Sequence, residues 1–238
     1  MQLIIRPLLI YLLLFQTVSL VSAKPPSECS DLSHVLLGKE YSVELMESYQ
    51  TTIAHLEKKQ HKYRRASSFL KHMFYYVHRK HLKRYQQFSL LTDVMKSGTY
   101  DCVSASALYA LLLERLGFSY QIWEMDYHIY LSVDLGDRTI VLEATDPLYG
   151  FIEQPEEINE HRENLKQKAQ TLHWEVGNTT PLIYRSITLT QLAGLQLYNR
   201  AINAWTRQQK KQAKEYAEQA LNYYTAERIV MLANLVSQ

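Results

Sequence analysis

The hydrophobic period of this chain changes at Gly117, and that change limits what the chain can fold into. Residues 102–116 are rich in helix formers and close on Gly117. Beyond it the period falls to two, and residues 120–125, 128–133 and 139–145 read as strands. Residues 134–138 form a turn with Gly136 near its centre, so the last two strands make an antiparallel hairpin. Helical patterns stand on both sides of this block. The class that follows is α+β: N-terminal helices and a cysteine-bearing helix packed on a small antiparallel sheet, with an all-α C-terminal extension. Seven Gly and six Pro in 238 residues are too few for an all-β chain built on tight turns.

The start of the central helix carries chemistry. Asp101 is a good N-cap residue, which places Cys102 in the first helical turn. There the unpaired backbone N–H groups and the helix dipole favour an anion. A cysteine so placed is held as thiolate more readily than a free one. Ser104, Ala105, Ser106 and Ala107 are small enough for close packing just behind it.

A thiolate nucleophile needs a base, and the base needs a group to orient it. The hairpin supplies both. A turn centred near Gly136 or Asp137 puts His128 opposite Ala144 or Asp146, depending on the register. Residues 128, 144 and 146 then share one face of the sheet. Packing of the Cys102 helix on that face would bring Cys102, His128 and Asp146 together.

The order of helix-borne Cys, strand-borne His and next-strand Asp-Pro resembles the transglutaminase-like superfamily, whose fold is related to papain-type cysteine proteases. The residues that carry the likeness are Gly98-Thr-Tyr-Asp-Cys102 with its helix, Tyr127-His128-Ile129-Tyr130, and Glu143-Ala-Thr-Asp146-Pro147. The likeness covers roughly residues 68–152 and is strongest to exported bacterial members with a helical C-terminal tail. One departure is visible: Tyr130 stands two residues after the histidine, where the family usually has Trp. The resemblance implies Cys102 as nucleophile, His128 as general base and acid, and Asp146 as the group that orients the histidine. The Cys102 backbone N–H is the first oxyanion donor, and Gln86 or Gln87 is available as the second. The expected activity is acyl transfer through a Cys102 thioester, with hydrolysis of an amide or peptide bond in a peptide or protein substrate. No cofactor and no metal are expected. The alternative is a non-catalytic domain that binds or scaffolds through its helical tail.

The remaining segments set the boundaries. Arg6, an apolar run over residues 8–15, and Val21-Ser22-Ala23 read as a cleaved signal peptide over residues 1–23. The protein is therefore expected to be exported, periplasmic or extracellular, with no stable membrane span in the mature chain. Residues 24–66 are an N-terminal arm and helix, with the helix over 42–63. Residues 67–155 are the transglutaminase-like core, opening with a helix over 67–85. Residues 156–189 connect, with a helix over 156–170 and an N-glycosylation sequon at Asn178. Residues 190–238 are a helical tail. Its Leu197, Ala201, Ala213, Ala217 and Ala220 fit the spacing of one tetratricopeptide-like repeat. A single repeat cannot bury its own face, so this one packs on the core or on a protein partner.

The charge balance excludes little and implies no nucleic-acid partner: the net charge is +2. Ten Lys or Arg lie between residues 58 and 84 with no acid among them. They read as a solvated helix face. His78 and His81, at i and i+3, lack the further ligands that a metal site needs. Cys29, the only other cysteine, sits in the polar arm, and no disulfide with Cys102 is expected.

Overall fold

The computed structural model describes residues 43–175, 177 and 180–237. The signal-peptide segment, the arm with Cys29, and Asn178 and Thr179 of the sequon lie outside the described residues. The chain opens with helices α1 (Val43–Gln60) and α2 (Ala66–His81). Helix α1 buries Leu45, Tyr49, Ile53 and Leu56, and α2 buries Phe69, Leu70, Met73, Phe74 and Val77. These steps of three and four make one apolar face on each helix. Lys58, Lys62, Arg64 and Arg65 are exposed, so this stretch of the basic segment is a solvated face.

Helix α2 ends short of the expected residue 85. Arg84 and Tyr85 instead form β1, which pairs in parallel with β2 (Thr99–Tyr100). Between them, residues 91–97 form a short helix, α3 (Leu91–Ser97). It closes on Gly98 at φ 75°. A Cβ at Gly98 would lie 2.4 Å from the Lys83 Cγ, so glycine answers both the left-handed backbone and the close approach.

Helix α4 (Cys102–Arg115) is the centre of the molecule. Every residue from 103 to 113 is buried, as expected of a helix apolar on all sides. It lies between the α1 and α2 core residues and one face of a five-stranded antiparallel sheet. The strands are β3 (Ser119–Met125), β4 (His128–Asp134), β5 (Thr139–Leu142), β6 (Phe151–Ile152) and β7 (Tyr184–Ile187), in the order β6-β5-β4-β3-β7. Ile122, Ile129, Leu131, Val133, Ile140 and Leu142 share a core with α4. The opposite face, with Met125, Tyr130 and Val141, packs under Ile158 and Leu165 of helix α5 (Pro155–Glu175). Strand β7 lies in the connecting segment 156–189, where no strand is expected from the sequence. Its residues Tyr184, Arg185 and Ser186 are all exposed, so no apolar alternation marks it.

The tail is three helices: α6 (Leu189–Thr206), α7 (Lys210–Tyr223) and α8 (Glu227–Val236). Leu192, Ala193, Leu195, Leu197, Tyr224 and Ile229 join the central core. Ala201, Ala204, Ala213, Ala217, Leu232 and Val236 form a smaller cluster between the helices. The tail is also fastened through a buried charge. Glu124 of β3 is fully buried; it accepts from Arg185 at 2.8 Å, from the Tyr224 hydroxyl and from Arg228. The fold is therefore α+β with a helical extension that shares the core. No helix among the described residues is long and apolar enough to cross a membrane.

Candidate functional site

Cys102 is the first residue of α4 and carries a free thiol, half-buried. Its position is set by the N-cap. Asp101 Oδ1 accepts from the Ser104 backbone N–H at 2.7 Å and from the Ser104 hydroxyl at 2.8 Å; the Ser104 Oγ in turn accepts from the Asp101 N–H at 2.8 Å. This reciprocal box satisfies two of the helix's unpaired donors. The other carboxylate oxygen, Oδ2, accepts from Asn199 Nδ2 of α6 at 2.7 Å. Burial pushes the Asp101 carboxyl up to about 6, against the pull of these hydrogen bonds.

Asn199 belongs to a stripe that sequence reasoning missed. Gln196 Oε1 accepts from the Leu91 N–H at 2.8 Å, and Asn203 Nδ2 donates to the Phe88 carbonyl at 2.8 Å. Positions 196, 199 and 203 fall on one helix face. The stripe ties the loop before α3 and the N-cap of α4 to the tail. Three amides at that spacing in an otherwise apolar helix were the available signal.

His128 is the first residue of β4. Its Nε2 donates to Glu143 Oε2 at 2.6 Å, and Cys102 is near enough to the ring to act on its charge. With Nε2 committed to the carboxylate, Nδ1 is the nitrogen left for the thiol. Burial alone would pull the imidazole down. The Glu143 charge, the Cys102 sulfur and the hydrogen bond to Glu143 outweigh it and push the ring up to about 10. Glu143 is buried, which would raise its carboxyl, yet the His128 charge and hydrogen bonds from His128 and Thr145 hold it below the usual range. Its Oε1 takes the Thr145 N–H at 3.0 Å and the Thr145 hydroxyl at 2.5 Å. His161 of α5 brings Nε2 to 3.5 Å from the same carboxylate.

Asp146 does not orient the histidine. Its Oδ1 accepts the backbone N–H groups of Leu148 and Tyr149, each at 2.9 Å, and so shapes the loop that follows. The reason is register. The hairpin closes through Leu135 N–H to Arg138 carbonyl at 3.0 Å, with Gly136 at φ 83°. That is a two-residue turn of Gly136 and Asp137, centred between residues and not on one. The ladder then runs Asp134↔Thr139 to Leu131↔Leu142. A half-residue displacement of the centre exchanges the faces. Glu143, not Ala144 or Asp146, comes to the side of His128. That side is also the α5 side of the sheet, whereas α4 packs on the other. Cys102 reaches His128 past the end of the sheet, from the tip of its helix.

The site opens into a cleft of about 370 Å³ whose wall includes His128, Glu143, Asp146, Tyr85, Tyr127 and Lys168. Gln86 and Gln87 are not in this wall. Gln86 spends its backbone N–H on the Tyr100 carbonyl, and its side-chain oxygen accepts from Arg84. Successive residues of an extended strand face opposite ways. Tyr85 faces the cleft, so the Gln86 side chain does not. Among the described residues, no three His, Cys, Asp or Glu side chains gather as a metal site. His81 is instead bonded to Thr52 Oγ1 at 2.8 Å. No family model matches the chain, and no curated protein or solved structure matches it.

Proposed function

We propose that the protein is an exported cysteine-dependent acyl-transfer enzyme of transglutaminase-like type that hydrolyses an amide or peptide bond through a Cys102 thioester. The observation that carries this reading is the position of the His128 ring. It donates to a buried carboxylate, Glu143, and lies close enough to Cys102 for the sulfur to favour its charged form, in the wall of an open cleft. A nucleophile, a base and an orienting group brought together are the parts that acyl transfer requires.

The proposed steps use these groups alone. The Cys102 thiolate adds to the substrate carbonyl carbon. The tetrahedral intermediate expels the amine, which takes the proton held by His128, and the C–N bond breaks to leave a thioester. Water then gives a proton to His128 as its oxygen adds to the thioester carbonyl. The C–S bond breaks, the carboxylic acid leaves, and Cys102 and His128 return as thiolate and imidazolium. Glu143 keeps the ring oriented and supports its positive charge throughout. The tail acts at a distance, through Asn199 on the N-cap of the nucleophile's helix.

Labelling with iodoacetamide at mildly acidic pH tests the reading. Cys102 should alkylate well above the rate of a free thiol, and His128→Ala should lose that excess while circular dichroism shows the fold retained. A Cys102 no more reactive than free cysteine would sink the enzyme and leave a binding or scaffold module.

A further inference from the structure

Thioester formation passes through an oxyanion, and one donor is evident from the helix. Cys102 is the first residue of α4, so its backbone N–H has no partner within the helix. A second donor is required for strong stabilisation of the developing charge. The strand pair ahead of the nucleophile offers a candidate.

Tyr85 is set directly against this site by the β1–β2 ribbon. Parallel pairing puts Tyr85 opposite Tyr100, two residues before Cys102. The Tyr85 ring stands edge-on to the Tyr100 ring, with centroids 5.8 Å apart at 87°. The side chain is 54% exposed, so it reaches solvent through the same cleft that His128 and Glu143 line. Its hydroxyl has no hydrogen-bond partner among the described residues. Two other hydroxyls line the cleft: that of Thr145 is already donated to Glu143, and that of Tyr127 is on a ring set edge-on against His173 of α5, with centroids 6.2 Å apart.

We propose that the Tyr85 hydroxyl donates to the oxyanion formed when Cys102 adds to a carbonyl, as the second donor beside the Cys102 N–H. This rests on the acyl-transfer reading of Cys102. The phenol suits the task because it stays protonated. Burial first, and then the charges of Cys102 and Asp101, push it up to about 12. It thus remains a donor across the range in which His128 is charged. A donor that is unpartnered in the resting protein and stands in the same cleft wall as His128 is available when the charge develops.

Tyr85→Phe in the full chain isolates the hydroxyl, with two probes of Cys102. Iodoacetamide reports the thiolate alone, because alkylation displaces iodide and forms no oxyanion. p-Nitrophenyl acetate reports acylation, in which the thiolate adds to the carbonyl and p-nitrophenolate leaves. The expected result is an unchanged alkylation rate and an acylation rate lower by a factor on the order of 10². Equal acylation by Tyr85→Phe and the wild type overturns the proposal. So does a parallel fall in both rates, which would make Tyr85 a support for the thiolate instead. A wild type that neither alkylates above the free-thiol rate nor acylates removes the enzyme reading itself, and the oxyanion donor with it. That pattern is distinct from either failure of Tyr85.

Discussion

His128 Nε2 and Glu143 Oε2 stand 2.6 Å apart because a two-residue turn, Gly136 and Asp137, aligns the strands that carry them. The carboxylate is anchored on its other oxygen by Thr145, so its approach to the ring is fixed. Glu143→Gln keeps the shape but removes the charge and sets an amide N–H₂ against a donor on one side or the other. Acylation by p-nitrophenyl acetate should fall by a factor on the order of 10³. Asp146→Asn keeps the Oδ1 acceptor that holds Leu148 and Tyr149 and should change the rate less than about tenfold. The reverse ranking would return the orienting role to Asp146.

The same pair governs a pH dependence of stability. His128 has a folded-state value of about 10, above its ordinary 6.5. Its contribution is complete below pH 6.5 and is lost as pH rises through 10. Glu143 is depressed, so its contribution is present above its ordinary 4.5 and is lost as pH falls below that. The stability difference between wild type and Glu143→Gln, measured by urea denaturation, should be largest between these limits and shrink toward alkaline pH. A difference that grows between neutral pH and pH 10 contradicts the raised imidazole.

The helical tail is held by a charge that cannot be left alone. Glu124 is fully buried, and burial would raise its carboxyl; the Arg228 charge and the hydrogen bonds from Tyr224, Arg185 and Arg228 hold it below the usual range. Arg228→Met removes one counter-charge and should cost about 3 kcal/mol in chemical denaturation. Adding Glu124→Gln to that variant should recover part of the loss, because the stranded charge is gone. Strict additivity of the two substitutions would show that Arg228 and Glu124 do not act as a pair.

Much of this arrangement was legible in the residues. The period change at Gly117 gave the helix-then-sheet order, and Asp101 placed Cys102 at a helix start. The third member of the site was missed because face assignment depends on the parity of the turn. Gly136 and Asp137 support either a turn centred on a residue or one centred between two, and the two choices put Asp146 or Glu143 beside His128. Strand β7 was missed because it lies at the sheet edge with three exposed residues of four, so its pairing with β3 leaves no apolar alternation. The amide stripe on α6 was hidden by its apolar surroundings. What Gln196, Asn199 and Asn203 bond is main chain and an N-cap some hundred residues away, contacts that no local pattern encodes.

Gly150 offers a test of how far the site depends on the loop that follows it. Glu143 donates its N–H to the Gly150 carbonyl at 2.7 Å, and the Gly150 N–H returns to the Asp146 carbonyl at 3.1 Å. A Cβ at Gly150 would lie 2.1 Å from the Glu143 carbonyl oxygen and 2.4 Å from that of Asp146. Backbone must move to admit it, and the backbone nearest is that of the orienting residue. Gly150→Ala should lose roughly 1–3 kcal/mol of stability. It should also lower acylation, since small misplacements of a positioned group cost rate steeply. Gly117→Ala, at the far end of α4 from Cys102, is the matched control. Its Cβ meets nothing within 4 Å, but its φ of 77° strains any side chain, at a cost of roughly 1–2 kcal/mol. It should therefore lower stability by a similar amount and leave the acylation rate of the folded protein unchanged. Equal effects of the two substitutions on that rate would show that the contact between Gly150 and Glu143 does not position the carboxylate.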